Sequence, residues 1–149
     1  MKSSEAGNSL SDLKLLQKDF WEGLKEYAHD HKAFVNLGRT PKPQHWYNIS
    51  FGTGRCHIAL TLNTQKGYVG CEIYIRNDKA LFDKFHNNKT EIERELEAQL
   101  EWMELHDATA SSILLPYSGN PKEKKRWDEY FKWCILMVEK FSKVFKNYI

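Results

Sequence analysis

The hydrophobic period of this chain changes twice along its length, and that change limits the fold more than any other feature. Leu10, Leu13, Leu16, Phe20, Leu24 and Tyr27 recur every three or four positions, the spacing of one helix face. Further on the spacing drops to two. Ile58, Leu60 and Leu62 alternate with His57, Ala59 and Thr61, and Val69, Cys71, Ile73 and Ile75 alternate with Gly70, Glu72 and Tyr74. Successive side chains on a strand point to opposite faces, so these runs read as strands with one buried side. After Asp78 the helical period returns, and it closes the chain through Trp127, Phe131, Cys134, Val138, Phe141 and Phe145.

The turn residues divide the middle of the chain. Strands are predicted over 45–51, 55–63 and 68–76. Gly52-Thr53-Gly54 is read as a three-residue hairpin loop and residues 64–67 as a four-residue turn ending in glycine. The first helix is predicted over about 11–30, with Gly23 inside it as a mark of close packing. Leu81, Phe82 and Phe85 give a second helix, and Thr90-x-x-Glu93 reads as the capping box of a third. Residues 101–105 and 111–117 are read as strands, and Asn120-Pro121 as the opening of the last helix. Residues 1–9 are polar and small and read as a disordered tail. Residues 10–149 then form one domain, since 149 residues leave no room for two. The order helix, three strands, two helices, two strands, helix predicts an α+β fold. Its sheet of about five mostly antiparallel strands combines the three-strand meander with two more, and helices pack mainly on one face.

The two short turns imply a register. It places Tyr47, Ala59 and Glu72 in one row, Ile49, His57 and Tyr74 in the next, and His45, Thr61 and Gly70 on the other side. Arg55 and Arg76 fall together further along. One face then carries Tyr47, Arg55, His57, Glu72, Tyr74 and Arg76 around the small residues Ala59 and Gly70, with His45 at the edge. A polar dip inside an aromatic rim suits a ligand. Glu72 sits mid-strand, where glutamate is depleted, and with His57 beside it is the candidate acid or base. His45, His57 and Glu72 have the residue types of a two-histidine, one-carboxylate site, but the register leaves one row between each of them. No metal and no cofactor are therefore expected.

Charge and cysteines restrict the function classes. Lys and Arg total 22 against 20 Asp and Glu, too balanced to mark a nucleic-acid protein by itself. The balance hides a basic end: residues 120–149 hold eight basic and four acidic residues, with Lys124, Lys125 and Arg126 clustered where the last helix begins. That is the wrong end for the helix dipole, which points to an anionic ligand or partner. Three cysteines without a Cys-x-x-Cys pair, and a polar N-terminus, are expected of a cytoplasmic protein without a membrane segment.

Several spellings occur in order: Gln17-x-x-Phe20-Trp21, Pro43-Gln44-His45-Trp46-x-Asn48, Gly70-x-Glu72-Ile73-Tyr74-Ile75, Asp78-Lys79-Ala80-Leu81-Phe82-Asp83 and Leu100-Glu101-Trp102. With the closing aromatic helix they resemble the prokaryotic family called domain of unknown function 4268, over about residues 13–147. The resemblance implies an intracellular module with no established activity, often placed behind a restriction-type nuclease in longer chains. Such nucleases carry an acid in the second core strand and Glu-x-Lys in the third. Here the second strand has no acid, and Glu72-Ile73-Tyr74 puts tyrosine in place of lysine. The expected function is a binding or accessory module of a restriction or defence system. It would hold nucleic acid or a protein partner on the polar face, aided by Lys124, Lys125 and Arg126. The alternatives are a divergent metal-dependent hydrolase centred on Glu72, and a structural subunit that forms a homodimer. No complete catalytic motif is present, so an enzyme is not the expectation.

Overall fold

A computed structural model describes residues 2–33, 35–104 and 109–149. The amphipathic first segment forms α1 (Lys2–Asp30), which takes in residues 2–9, expected as a tail. Met1 lies outside the described residues. The period-two region forms β1 (Trp46–Ile49), β2 (His57–Asn63) and β3 (Tyr68–Arg76). Then follow α2 (Lys79–Asn87), α3 (Lys89–Leu96), β4 (Glu101–Glu104), β5 (Ala110–Ser118), a single 3-10 turn at Lys124–Arg126, and α4 (Trp127–Lys146). The element order is the one expected. Residue 105, predicted to end the fourth strand, lies outside the described residues.

All strand pairs are antiparallel, in the order β1-β2-β3-β5-β4, so β5 lies between the meander and β4. One face of the sheet carries Ile58, Leu60, Leu62, Val69, Cys71, Ile73, Ile75 and Ile113, all buried. They share one core with Phe20, Trp21 and Leu24 of α1 and with Tyr130, Phe131, Cys134, Val138, Phe141 and Phe145 of α4. Leu81, Phe82 and Phe85 of α2 and Ile92 and Leu96 of α3 join the same core, and Phe85 meets Phe145 edge to face at 5.0 Å. The fold is α+β with its helices on one side of the sheet. Burying the apolar alternation of β2 and β3 drives this arrangement, at roughly 25 cal/mol per Å² of apolar surface.

Local signals decide where the helices start, and two of them differ from the sequence expectation. Asp78 caps α2, its carboxylate accepting from the Leu81 N–H at 3.0 Å. The Thr90-x-x-Glu93 capping box is corrected. The helix already begins at Lys89, and the Glu93 carboxylate instead accepts from the Leu100 N–H at 2.7 Å and the Trp102 indole N–H at 3.2 Å. It therefore ties α3 to the start of β4. Asn120-Pro121 does not open α4 either. Asn120 Oδ1 accepts from the Lys122 N–H to make a turn, and the helix starts at Trp127.

The first hairpin differs from its predicted register by one residue. Thr61 faces Trp46, Leu60 faces Tyr47, Ala59 faces Asn48 and Ile58 faces Ile49. The chain from Ser50 to Cys56 is a seven-residue connection, not a three-residue loop. A shift of one residue sends every β1 side chain to the opposite face. Tyr47 is therefore corrected: it is buried on the core side, its ring 5.6 Å from Trp21 and its hydroxyl donating to the Arg39 carbonyl at 2.6 Å. Ile49 and Phe51 are buried with it, so apolar burial sets this register and overrides the turn. The second hairpin keeps its expected pairing, with His57 opposite Tyr74, Ala59 opposite Glu72 and Thr61 opposite Gly70.

Gly23 is where α1 meets α4. A Cβ built there would stand 2.8 Å from Phe131 Cζ. The Phe131 ring is itself held by Phe20 at 4.9 Å and Trp127 at 6.0 Å. Gly23→Ala is expected to lower stability by about 1–3 kcal/mol through overpacking, despite gaining about 1 kcal/mol in helix propensity. Urea unfolding checks this: the midpoint should fall at constant slope. A raised midpoint would mean that Phe131 gives way.

Candidate functional site

Since the helices occupy one side of the sheet, the rows on the other side stay open. Trp46, Thr61, Gly70 and Pro116 form one row across four strands. Asn48, Ala59, Glu72 and Leu114 form the next, and His57, Tyr74 and Ser112 the one after. The β1, β2 and β3 members of these rows, Gly70 apart, line a depression of about 630 Å³, a size common for ligand sites. His45, Arg55, His57, Glu72, Tyr74 and Arg76 all line it, and no lining residue belongs to a helix.

Glu72 lines it from β3. Its row neighbours are Ala59 and Leu114, which are 3% and 5% exposed and offer no polar atom beyond the backbone. Among the described residues Glu72 makes no ion pair and no side-chain hydrogen bond. Burial alone therefore raises its carboxyl from the usual 4.5 to about 7. Half-buried His57 is moved down, first by burial and then by the positive charge of Arg39, which keeps the ring neutral at neutral pH. The His57 and Tyr74 rings lie 5.1 Å apart and tilted, a partly exposed aromatic pair beside Glu72.

Two arginines close one end of the depression, but they are not equivalent. Arg55 is held by Asp78 in a two-pronged pair, Nε to Oδ2 at 2.8 Å and one Nη to Oδ1 at 3.1 Å. This pair, with the Leu81 N–H, holds the Asp78 carboxyl below its ordinary value. Arg76 is exposed and has no ion-pair partner among the described residues. At the other end His45 and Trp46 meet edge to face at 4.8 Å, and Trp46 is 38% exposed. Between them Thr61 Oγ1 is buried with no hydrogen-bond partner among the described residues. It leans over Gly70, where a Cβ would collide with Thr61 Oγ1 and stand 2.9 Å from Leu114 Cδ1.

Trp46, Asn48 and Thr61 thus belong to the site, although only Thr61 was expected on that face. The signal for the other two is the alternation Tyr47, Ile49, Phe51. Once those three point to the core, Trp46 and Asn48 must point away from it. Lys124, Lys125 and Arg126 lie elsewhere, in the turn before α4 on the helical layer. Lys124 is 3.9 Å from Asp19 and above the Trp127 ring, and Arg126 is paired with Glu129 at 3.1 Å. Among the described residues no group of three His, Cys, Asp or Glu side chains is gathered to hold a metal ion. No helix among them is long and apolar enough to cross a membrane.

Comparison with known proteins gives a family and one distant shape. The family model described as Domain of unknown function (DUF4268) matches residues 16–149. No curated protein matches the sequence. A solved structure, that of YbjN, a proposed transcription regulator from E. coli, superposes with a TM-score of 0.48 at 10% identity. The match covers 85% of this chain and 88% of that one.

The environment of Glu72 fixes the sign of a stability effect. The folded state holds the Glu72 proton up to about pH 7, whereas the unfolded chain releases it near 4.5. Between these values the folded state binds more protons, so stability falls as pH rises and the full cost is present above pH 7. Glu72→Gln is neutral at every pH. It is expected to match the parent chain at pH 4.5 and to exceed it at pH 8 by about 1–3 kcal/mol. Urea unfolding at both pH values measures this, and equal differences at the two would show that the carboxylate is solvated in the fold.

Proposed function

Because the chain belongs to the domain of unknown function 4268 family, whose description carries no activity, we propose its function from the open sheet face: it is a binding module for single-stranded nucleic acid. One observation carries this reading. The face that no helix covers gathers the exposed Trp46 ring, the partly exposed His57 and Tyr74 rings and the unpaired Arg76 guanidinium around a depression of about 630 Å³. Trp46, Tyr74 and neutral His57 supply surfaces on which unstacked bases can lie, and each such stack is worth roughly 1–3 kcal/mol. Arg76 supplies the charge for a phosphate. Glu72, largely protonated below pH 7, does not repel the phosphates. A duplex keeps its base faces stacked away from such a surface, so a single strand fits better.

Other readings have less support. A metal-dependent hydrolase centred on Glu72 needs a second ligand beside it, yet among the described residues no group of three His, Cys, Asp or Glu side chains is gathered there, and Asp78 is engaged by Arg55. Within a restriction or defence system, any cleavage would then fall to a partner chain. Homodimerisation rests on the exposed apolar side chains Leu10, Leu15, Trp46 and Leu136, which light scattering can test.

Fluorescence anisotropy with labelled 12-nucleotide DNA and RNA strands, at low and moderate salt, tests the proposal. Binding should weaken several-fold as salt rises, because phosphate contacts release counterions. Trp46→Ala and Arg76→Ala should each weaken it by about fivefold or more, the equivalent of losing one stack or one phosphate contact. Absence of binding to both strands at low salt sinks the proposal and favours a protein partner on this face.

A further inference from the structure

The rows on the open face follow a fixed order. Thr61 and Trp46 come first, then Glu72, then the His57–Tyr74 ring pair, then Arg76. Residues two apart on a strand are spaced by about 6.6 Å, so Glu72, Tyr74 and Arg76 offer a hydrogen-bonding group, a ring and a cation at successive steps of that length. A nucleotide has the same order: the hydrogen-bonding edge of the base, its flat face, then the phosphate. Resting on the single-strand reading above, we propose that Glu72 is the base-reading residue of this face, its carboxyl hydrogen-bonding the Watson–Crick edge of a base that lies on Tyr74 and His57 while Arg76 holds that nucleotide's phosphate.

The surroundings of Glu72 leave its carboxyl available for this role. β5 contributes Ser112, Leu114 and Pro116 to the same face, none of them titratable. β2 contributes His57, and Arg55, just before it, is occupied by Asp78. β3 itself contributes Tyr74 and Arg76 on one side of Glu72, and Gly70 and Tyr68 on the other. Glu101 of β4 lies in the same row beyond Leu114 and is exposed. His45 and Trp46 stand at the far rim. No group among these bonds the Glu72 oxygens, so they stay free to bond a ligand.

The protonation state then decides which edge is read. A neutral carboxyl offers one donor and one acceptor, and every base has an edge to match that pair. An ionised carboxylate offers acceptors only, and it matches two adjacent donors, which guanine alone presents through N1–H and its amino group. Below pH 7 the face should accept all four bases. Above pH 7 it should favour guanine.

The test uses the whole chain and trinucleotides T-X-T, with X as each base in turn, whose phosphodiesters do not titrate in this range. Binding is followed by Trp fluorescence at pH 6 and pH 8.5. Strands with X as adenine, cytosine or thymine should weaken by about tenfold between the two, while the guanine strand should hold or tighten. Glu72→Gln keeps one donor and one acceptor at every pH, so it should bind all four strands without this change. Binding that is indifferent to X and to pH, and equal in Glu72→Gln, overturns the inference and leaves the single-strand reading in place. If neither the trinucleotides nor the 12-nucleotide strands bind, both fail.

Discussion

Burial of one side of β2 and β3 beneath α1 and α4 is the constraint on which the rest of this structure depends. Seven apolar residues of those two strands enter the core, and alternation then forces His57, Ala59, Thr61, Gly70, Glu72 and Tyr74 to the other side. No helix occupies that side, so its character follows from positions the core did not use. The candidate site is in this sense the complement of the core. Its geometry is as rigid as the packing behind it, and Phe20, Phe131, Phe141 and Phe145 make that packing dense.

The same arrangement explains the behaviour of Glu72. A glutamate on an open sheet face would ordinarily be ionised and hydrated. Here Ala59 and Leu114 flank it across the row, and Thr61 and Leu114 close over Gly70 beside it. Water is thinned without a counter-charge being supplied, and the carboxyl is pushed up to about 7. Arg55 also lines the depression, but Asp78 takes both of its prongs and uses the same carboxylate to cap α2. The helix start and the electrostatics of the site are thus coupled through one aspartate.

Much of this was legible in the chain. The α+β class, the element order, the pairing of β2 with β3 and the gathering of Arg55, His57, Glu72, Tyr74 and Arg76 follow from period and turn chemistry. Tyr47 was misplaced because Gly52-Thr53-Gly54 has the composition of a tight hairpin. The chain instead uses seven residues there and lets Tyr47, Ile49 and Phe51 choose the buried side. Glu93 fits a capping box in its own segment, yet it is drawn to the Leu100 and Trp102 N–H groups that the fold brings beside it. In both cases a local rule competed with a contact from outside the segment, and the outside contact removed a larger unpaired or exposed surface.

The sequence by itself therefore determined which segments are helices and strands and which side of β2 and β3 is buried, because hydrophobic period is a local property. Tertiary structure decided the face shown by β1, the partner of Glu93, the removal of Lys124, Lys125 and Arg126 to the helical layer, and the protonation of Glu72. Each of these depends on atoms distant in the chain: Leu60 opposite Tyr47, Leu100 beside Glu93, Asp19 near Lys124, Leu114 beside Glu72. Burial and dielectric environment are set by such neighbours, and no window of the sequence contains them.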